Sequence, residues 1–193
     1  MKLLFNPNPN RLWQDIIHEA EVNCRSKLQV ELEAYLINLL VRYSTQPELA
    51  NQIMAPQFLE SAKLTPSERT VALQHVGDSC LLYSGLFPGI AEKRLVKISY
   101  FINLGRSAYS RISTASNDLY DLLTKSFVAI MDLLQSLRSY SKHYPDLTPI
   151  QAYDLWNESG SQRALRTLRQ YSSADPMRTL FREEGACIIR IKK

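Results

Sequence analysis

Apolar residues recur along most of the chain at the three- and four-residue spacing of amphipathic helices, and nowhere at a sustained spacing of two. Leu12, Trp13, Ile16, Ile17 and Ala20 form one stripe over about 11–24, after Asn10 as a cap. The next segment, 26–44, is apolar nearly all round: only Glu31, Asn38 and Arg42 make a narrow polar strip. Such a helix belongs in the middle of a bundle, so 26–44 is expected to be the buried centre. Pro47 and Pro56 then open two short connecting helices.

Thr65-Pro66-Ser67-Glu68 has the residues of a capping box, and Thr148-Pro149-Ile150-Gln151 repeats the pattern. The first starts a helix running to about Ser84, with Val71, Ala72, Val76, Cys80, Leu82 and Tyr83 on an apolar arc and Gly77 opposite. Gly85-Leu86-Phe87-Pro88-Gly89 ends it. A helix over about 92–114 carries Gly105 in the middle of its apolar face. Glycine there costs about 1 kcal/mol against alanine, which predicts a close helix crossing. The longest helix, about 118–142, has an outer face of Asp118, Asp121, Lys125 and Asp132, read as solvated, with Asp121 and Lys125 paired. After Ser159-Gly160-Ser161 comes a basic helix, Gln162–Tyr171, with Ala164, Leu165 and Leu168 inward. Asp175-Pro176 starts a last short helix, and 186–191 is an extended tail or a lone strand.

The pattern therefore predicts an all-α, single-domain multi-helix bundle over 1–193, with the main bundle at 10–157 and an irregular basic C-terminal segment at 158–193. At 193 residues one domain is the natural size. No apolar run reaches the ~20 residues of a membrane span, and the first residues lack the apolar core of a signal peptide. Cys24, Cys80 and Cys187 have no pairing or zinc-ligand spacing, so they read as packing residues in a reducing cytoplasm. Net charge is +4, and all of the excess lies in 156–193.

Three places could carry chemistry. The first is a candidate ligand pocket of His75, Asp78, Ser79, Tyr83 and Tyr109 beside the predicted crossing. His75 and Asp78, three apart, could offer a nitrogen and an oxygen to a metal ion or a base to a substrate, but two ligands make no site. The simpler reading is that His75 hydrogen-bonds Asp78 or Ser79 within the core. The second is a row of candidate anion contacts, Arg163, Arg166 and Arg169, with Tyr171 able to stack on a base. The third is a contact surface built from some of the ten tyrosines.

No catalytic motif, phosphate loop, cofactor motif or metal motif is present, so neither a cofactor nor a metal is expected. His75-Val76-Gly77-Asp78, Gly85-Leu86-Phe87-Pro88 and Gly105-Arg106-Ser107-Ala108-Tyr109 together resemble a block found in a group of uncharacterised bacterial proteins. The resemblance covers about 75–115 and implies a bacterial cytoplasmic origin without implying an activity. The sequence thus points to a non-catalytic cytoplasmic binding or regulatory protein acting through protein or small-ligand contacts. An enzyme or metal-binding bundle with its pocket near His75, and nucleic-acid binding through the basic C-terminal region, are the alternatives. Self-association stays open.

Overall fold

The computed structural model describes residues 8–46, 54–89, 91, 94–112, 118–139 and 147–171. Among them the chain forms eight α-helices of seven residues or more, and no strand. The all-α bundle read from the sequence is therefore the observed architecture. The proposed short helix after Pro47, the helix after Asp175 and the 186–191 tail lie outside the described residues.

Helix α1 (Pro9–Cys24) is capped by Asn8, whose side chain accepts the Asn10 amide at 3.0 Å, so the cap sits two residues earlier than Asn10. Its C-terminal turn is tied to the following loop by Glu21, which is buried and accepts the Leu28 amide at 2.7 Å. Helix α2 (Val30–Thr45) starts four residues later than expected and buries a single stripe, Leu32, Leu36, Leu39 and Leu40. Val30 is 75% exposed, and Ala34 and Asn38 also face out. It is an outer helix, not the buried centre.

The centre is α4 (Pro66–Gly85), reached through α3 (Met54–Glu60) and a single 3-10 turn at Ser61–Lys63. Glu68 closes its first turn by accepting the Thr65 amide at 3.1 Å and the Thr65 hydroxyl at 2.6 Å. The N-terminal half is open to solvent, with Val71 67% exposed instead of in the apolar arc. From Val76 to Gly85 every residue is buried. A helix enclosed on all sides must be surrounded by other helices, and here α5 (Ile98–Ile112), α6 (Asp118–Ser139) and α3 pack around it.

Three glycines allow that enclosure: Gly85, where a Cβ would stand 2.6 Å from the Leu134 Cβ of α6, and two at the crossing with α5. A Cβ on Gly105 of α5 would stand 2.6 Å from the Phe127 ring and 2.9 Å from the Cys80 Cβ, closer than carbon atoms can approach. On α4, Gly77 is in contact with the Tyr109 ring of α5 where a side chain would stand. The expected close crossing of these two helices is observed, and Gly77 is part of it.

Helix α7 (Pro149–Ser159) begins with the expected reciprocal cap: the Thr148 amide donates to Gln151 at 3.0 Å and the Gln151 amide to the Thr148 hydroxyl at 3.3 Å. It ends at Gly160, whose φ of 78° is left-handed, and α8 (Gln162–Tyr171) follows at once. Asp121 and Lys125 of α6 pair at 2.6 Å on the outer face. Asp132 does not belong to that face: it is 6% exposed and faces α8, because the start of α8 supplies donors that the sequence around Asp132 does not reveal.

Candidate functional site

Side chains from α2 and α5 meet α4 in a polar cluster built on Asp78, which is 5% exposed. Because Gly77 has no side chain, Tyr109 can lie flat against α4 and donate its hydroxyl to Asp78 Oδ1 at 2.8 Å. From α2, Tyr35 donates to the same oxygen at 2.5 Å, and Arg42, two turns further on, donates to Oδ2 at 2.7 Å. Gln74 donates a longer bond of 3.4 Å to the Tyr35 hydroxyl oxygen. The Tyr35 ring meets Tyr109 edge-on, with centroids 6.4 Å apart.

Burial pushes the Asp78 carboxyl above its ordinary range, and the two phenols and Arg42 offset only part of that rise. The Tyr35 and Tyr109 hydroxyls are raised too, first by burial and then by the neighbouring carboxylate. Both phenols therefore keep their protons at neutral pH and serve as donors rather than bases. Arg42 is opposed by its partial burial, yet Asp78 carries it above its usual value. Three donors satisfy the carboxylate and tie three helices together.

Of the residues singled out from the sequence, the structure joins Asp78 and Tyr109. Tyr83 turns elsewhere: the Arg94 guanidinium lies 5.0 Å above its ring, and Phe101 packs beside it at 5.3 Å. Ser79 is 1% exposed, and His75 is half-buried one turn before an Asp78 whose hydrogen bonds go to Tyr35, Tyr109 and Arg42. Tyr35, Arg42 and Gln74 were not anticipated. Their one visible signal is the seven-residue interval from Tyr35 to Arg42, which puts both on one face of α2. Among the described residues no group of three or more His, Cys, Asp or Glu could hold a metal ion, and no helix is long and apolar enough to cross a membrane.

A second buried carboxylate organises the other end of the bundle. Asp132 Oδ1 accepts the Ser161 hydroxyl at 2.5 Å, while Oδ2 accepts the amides of Gln162 at 2.9 Å and Arg163 at 3.1 Å. Ser161 itself caps α8 by accepting the Ala164 amide at 3.0 Å. Burial pushes the Asp132 carboxyl up, against the pull of these donors. The positive end of α8 is thus already matched by a carboxylate from α6. Asp132→Ala should cost about 1–3 kcal/mol in urea unfolding, because it strands donors at the start of α8. Amide exchange should speed up first in Gln162–Tyr171; unchanged protection there would remove Asp132 from this role.

Held in that way, α8 forms one wall of a cleft of about 280 Å³ with the end of α1 and part of α6. Arg163, Arg166, Thr167, Gln170 and Tyr171 line it from α8, with Asn23 and Cys24 on α1 and Ser136 on α6. Arg163 donates to the Gln135 side-chain oxygen at 3.4 Å. Arg166 donates to the backbone carbonyls of Gln162 at 3.3 Å and Asn23 at 3.4 Å. These bonds are long; Arg163 also lies close enough to Asp132 for its charge to pull that carboxyl down, and Arg166 is exposed. The arginine row divides here: Arg163 and Arg166 face the cleft, and Arg169 is exposed outside its lining.

The chain matches no family model, no curated protein and no solved structure.

Proposed function

We propose that this is a non-catalytic binding protein that takes a small anionic ligand in the cleft between α1, α6 and α8. The observation that carries this reading is the convergence of Arg163 and Arg166 with the side chains of Ser136, Thr167 and Gln170 on one open concavity. The polar residues around Asp78, by contrast, satisfy one another. A cleft of about 280 Å³ falls just below the ~300–1,000 Å³ typical of ligand pockets, which favours a small metabolite over a protein segment.

Thermal melts of the full chain against phosphate, sulfate and small dicarboxylates test the proposal. A binding anion at about 100 times its dissociation constant should stabilise the fold by roughly 2.7 kcal/mol. Arg163→Gln with Arg166→Gln should abolish the shift without loss of helical signal. Absence of any anion-dependent shift, or a shift that persists in the double variant, would overturn the reading.

A further inference from the structure

Resting on that reading, we infer that the ligand is a phosphate monoester joined to a planar ring, of the size of a nucleoside monophosphate. The charge requirement comes from the two guanidiniums. Arg163 and Arg166 approach from one helix face, and a doubly charged phosphate monoester has enough acceptor oxygens to engage both. The amide groups at the start of α8 are not available to it, since Asp132 already takes those of Gln162 and Arg163. The phosphate is therefore bound along the side of the helix rather than at its tip.

The ring requirement comes from Tyr171, which lines the same cleft while remaining 65% exposed. It follows Arg166 by five residues, about 7.5 Å along the helix axis and about 140° around it, so the ring and the guanidinium meet the cleft at different points. An exposed tyrosine face stacks on any planar base. Thr167 and Ser136 line the same cleft; their hydroxyls donate to the Arg163 and Leu133 carbonyls and can still accept from sugar hydroxyls, and the Gln170 amide suits the polar edge of a ring.

Calorimetric titration of the full chain with inorganic phosphate, adenosine monophosphate and adenosine tests this. Adenosine monophosphate should bind about tenfold more tightly than phosphate, the factor expected of one stacked ring, and both should weaken as salt rises. Tyr171→Ala should remove that advantage and leave phosphate binding intact, whereas Arg166→Gln should weaken both ligands. Equal affinity for phosphate and the nucleotide, or adenosine binding as tightly as its monophosphate, would overturn the inference. A dicarboxylate that binds in an arginine-dependent way while the nucleotide does not would overturn it and leave the anion cleft standing. Binding of no anion would remove both. A single-stranded oligonucleotide that displaces the nucleotide at lower concentration would replace the small ligand with a nucleic acid.

Discussion

Asp78→Ala should lower the free energy of unfolding by about 2–3 kcal/mol, the scale of stranding buried hydroxyl donors. The loss comes chiefly from what is left behind. Tyr109 is fully buried and would keep a hydroxyl with its acceptor gone, and Tyr35 would lose the same acceptor. Arg42 adds less, because its side chain is 48% exposed and water can take over its charge. Arg42→Ala should cost less than Asp78→Ala, because Asp78 keeps its two phenol donors and its carboxyl, already raised by burial, can take up a proton in place of the lost charge. Asp78→Asn should fall between, since its amide oxygen can still accept from a phenol while its NH₂ faces a donor. Urea unfolding of the three variants gives the order directly. A cost below about 1 kcal/mol for Asp78→Ala would mean that the cluster contributes little to holding α2 on the bundle.

The second large effect is expected at Gly105. Alanine gains about 1 kcal/mol of helix propensity over glycine, but here its Cβ collides with both the Phe127 ring and the Cys80 Cβ. Phe127 is fully buried, and the Cβ of Cys80 moves only with the backbone of α4. The two helices must separate, and overpacking of this kind costs about 1–3 kcal/mol. Gly105→Ala should therefore be net destabilising, and Gly105→Val should lie at or beyond the upper end of that range. Calorimetric melting temperatures decide it: a rise for Gly105→Ala would show that the crossing has slack.

What the sequence made legible was local. The Thr65 and Thr148 caps, the break at Gly160 and the Asp121–Lys125 pair each depend on residues within a few positions, and each is found. Gly105 was readable because a glycine on an apolar face needs a close neighbour to explain it. The buried centre was not readable by counting apolar residues. Helix α2 has more of them, yet several point outward, whereas the enclosed half of α4 contains Gly77, Asp78, Ser79, Ser84 and Gly85. Small residues belong there because neighbouring helices come close, and Ser84 satisfies its hydroxyl within its own helix by donating to the Cys80 carbonyl at 2.8 Å. Asp132 looked solvated because its partners begin at Ser161, 29 residues away. Similarly, Asp78 showed its neighbour in sequence, His75, and hid Tyr35 and Arg42, which reach it from another helix.

One side chain stands between the cleft and the centre of the bundle. Gln135 donates its amide to the Ser84 carbonyl near the end of α4 at 2.9 Å, and its oxygen receives Arg163 at 3.4 Å. A ligand that draws the Arg163 guanidinium toward itself competes with that oxygen. Any change this makes in the Gln135–Ser84 bond would return to ligand affinity as the same free energy.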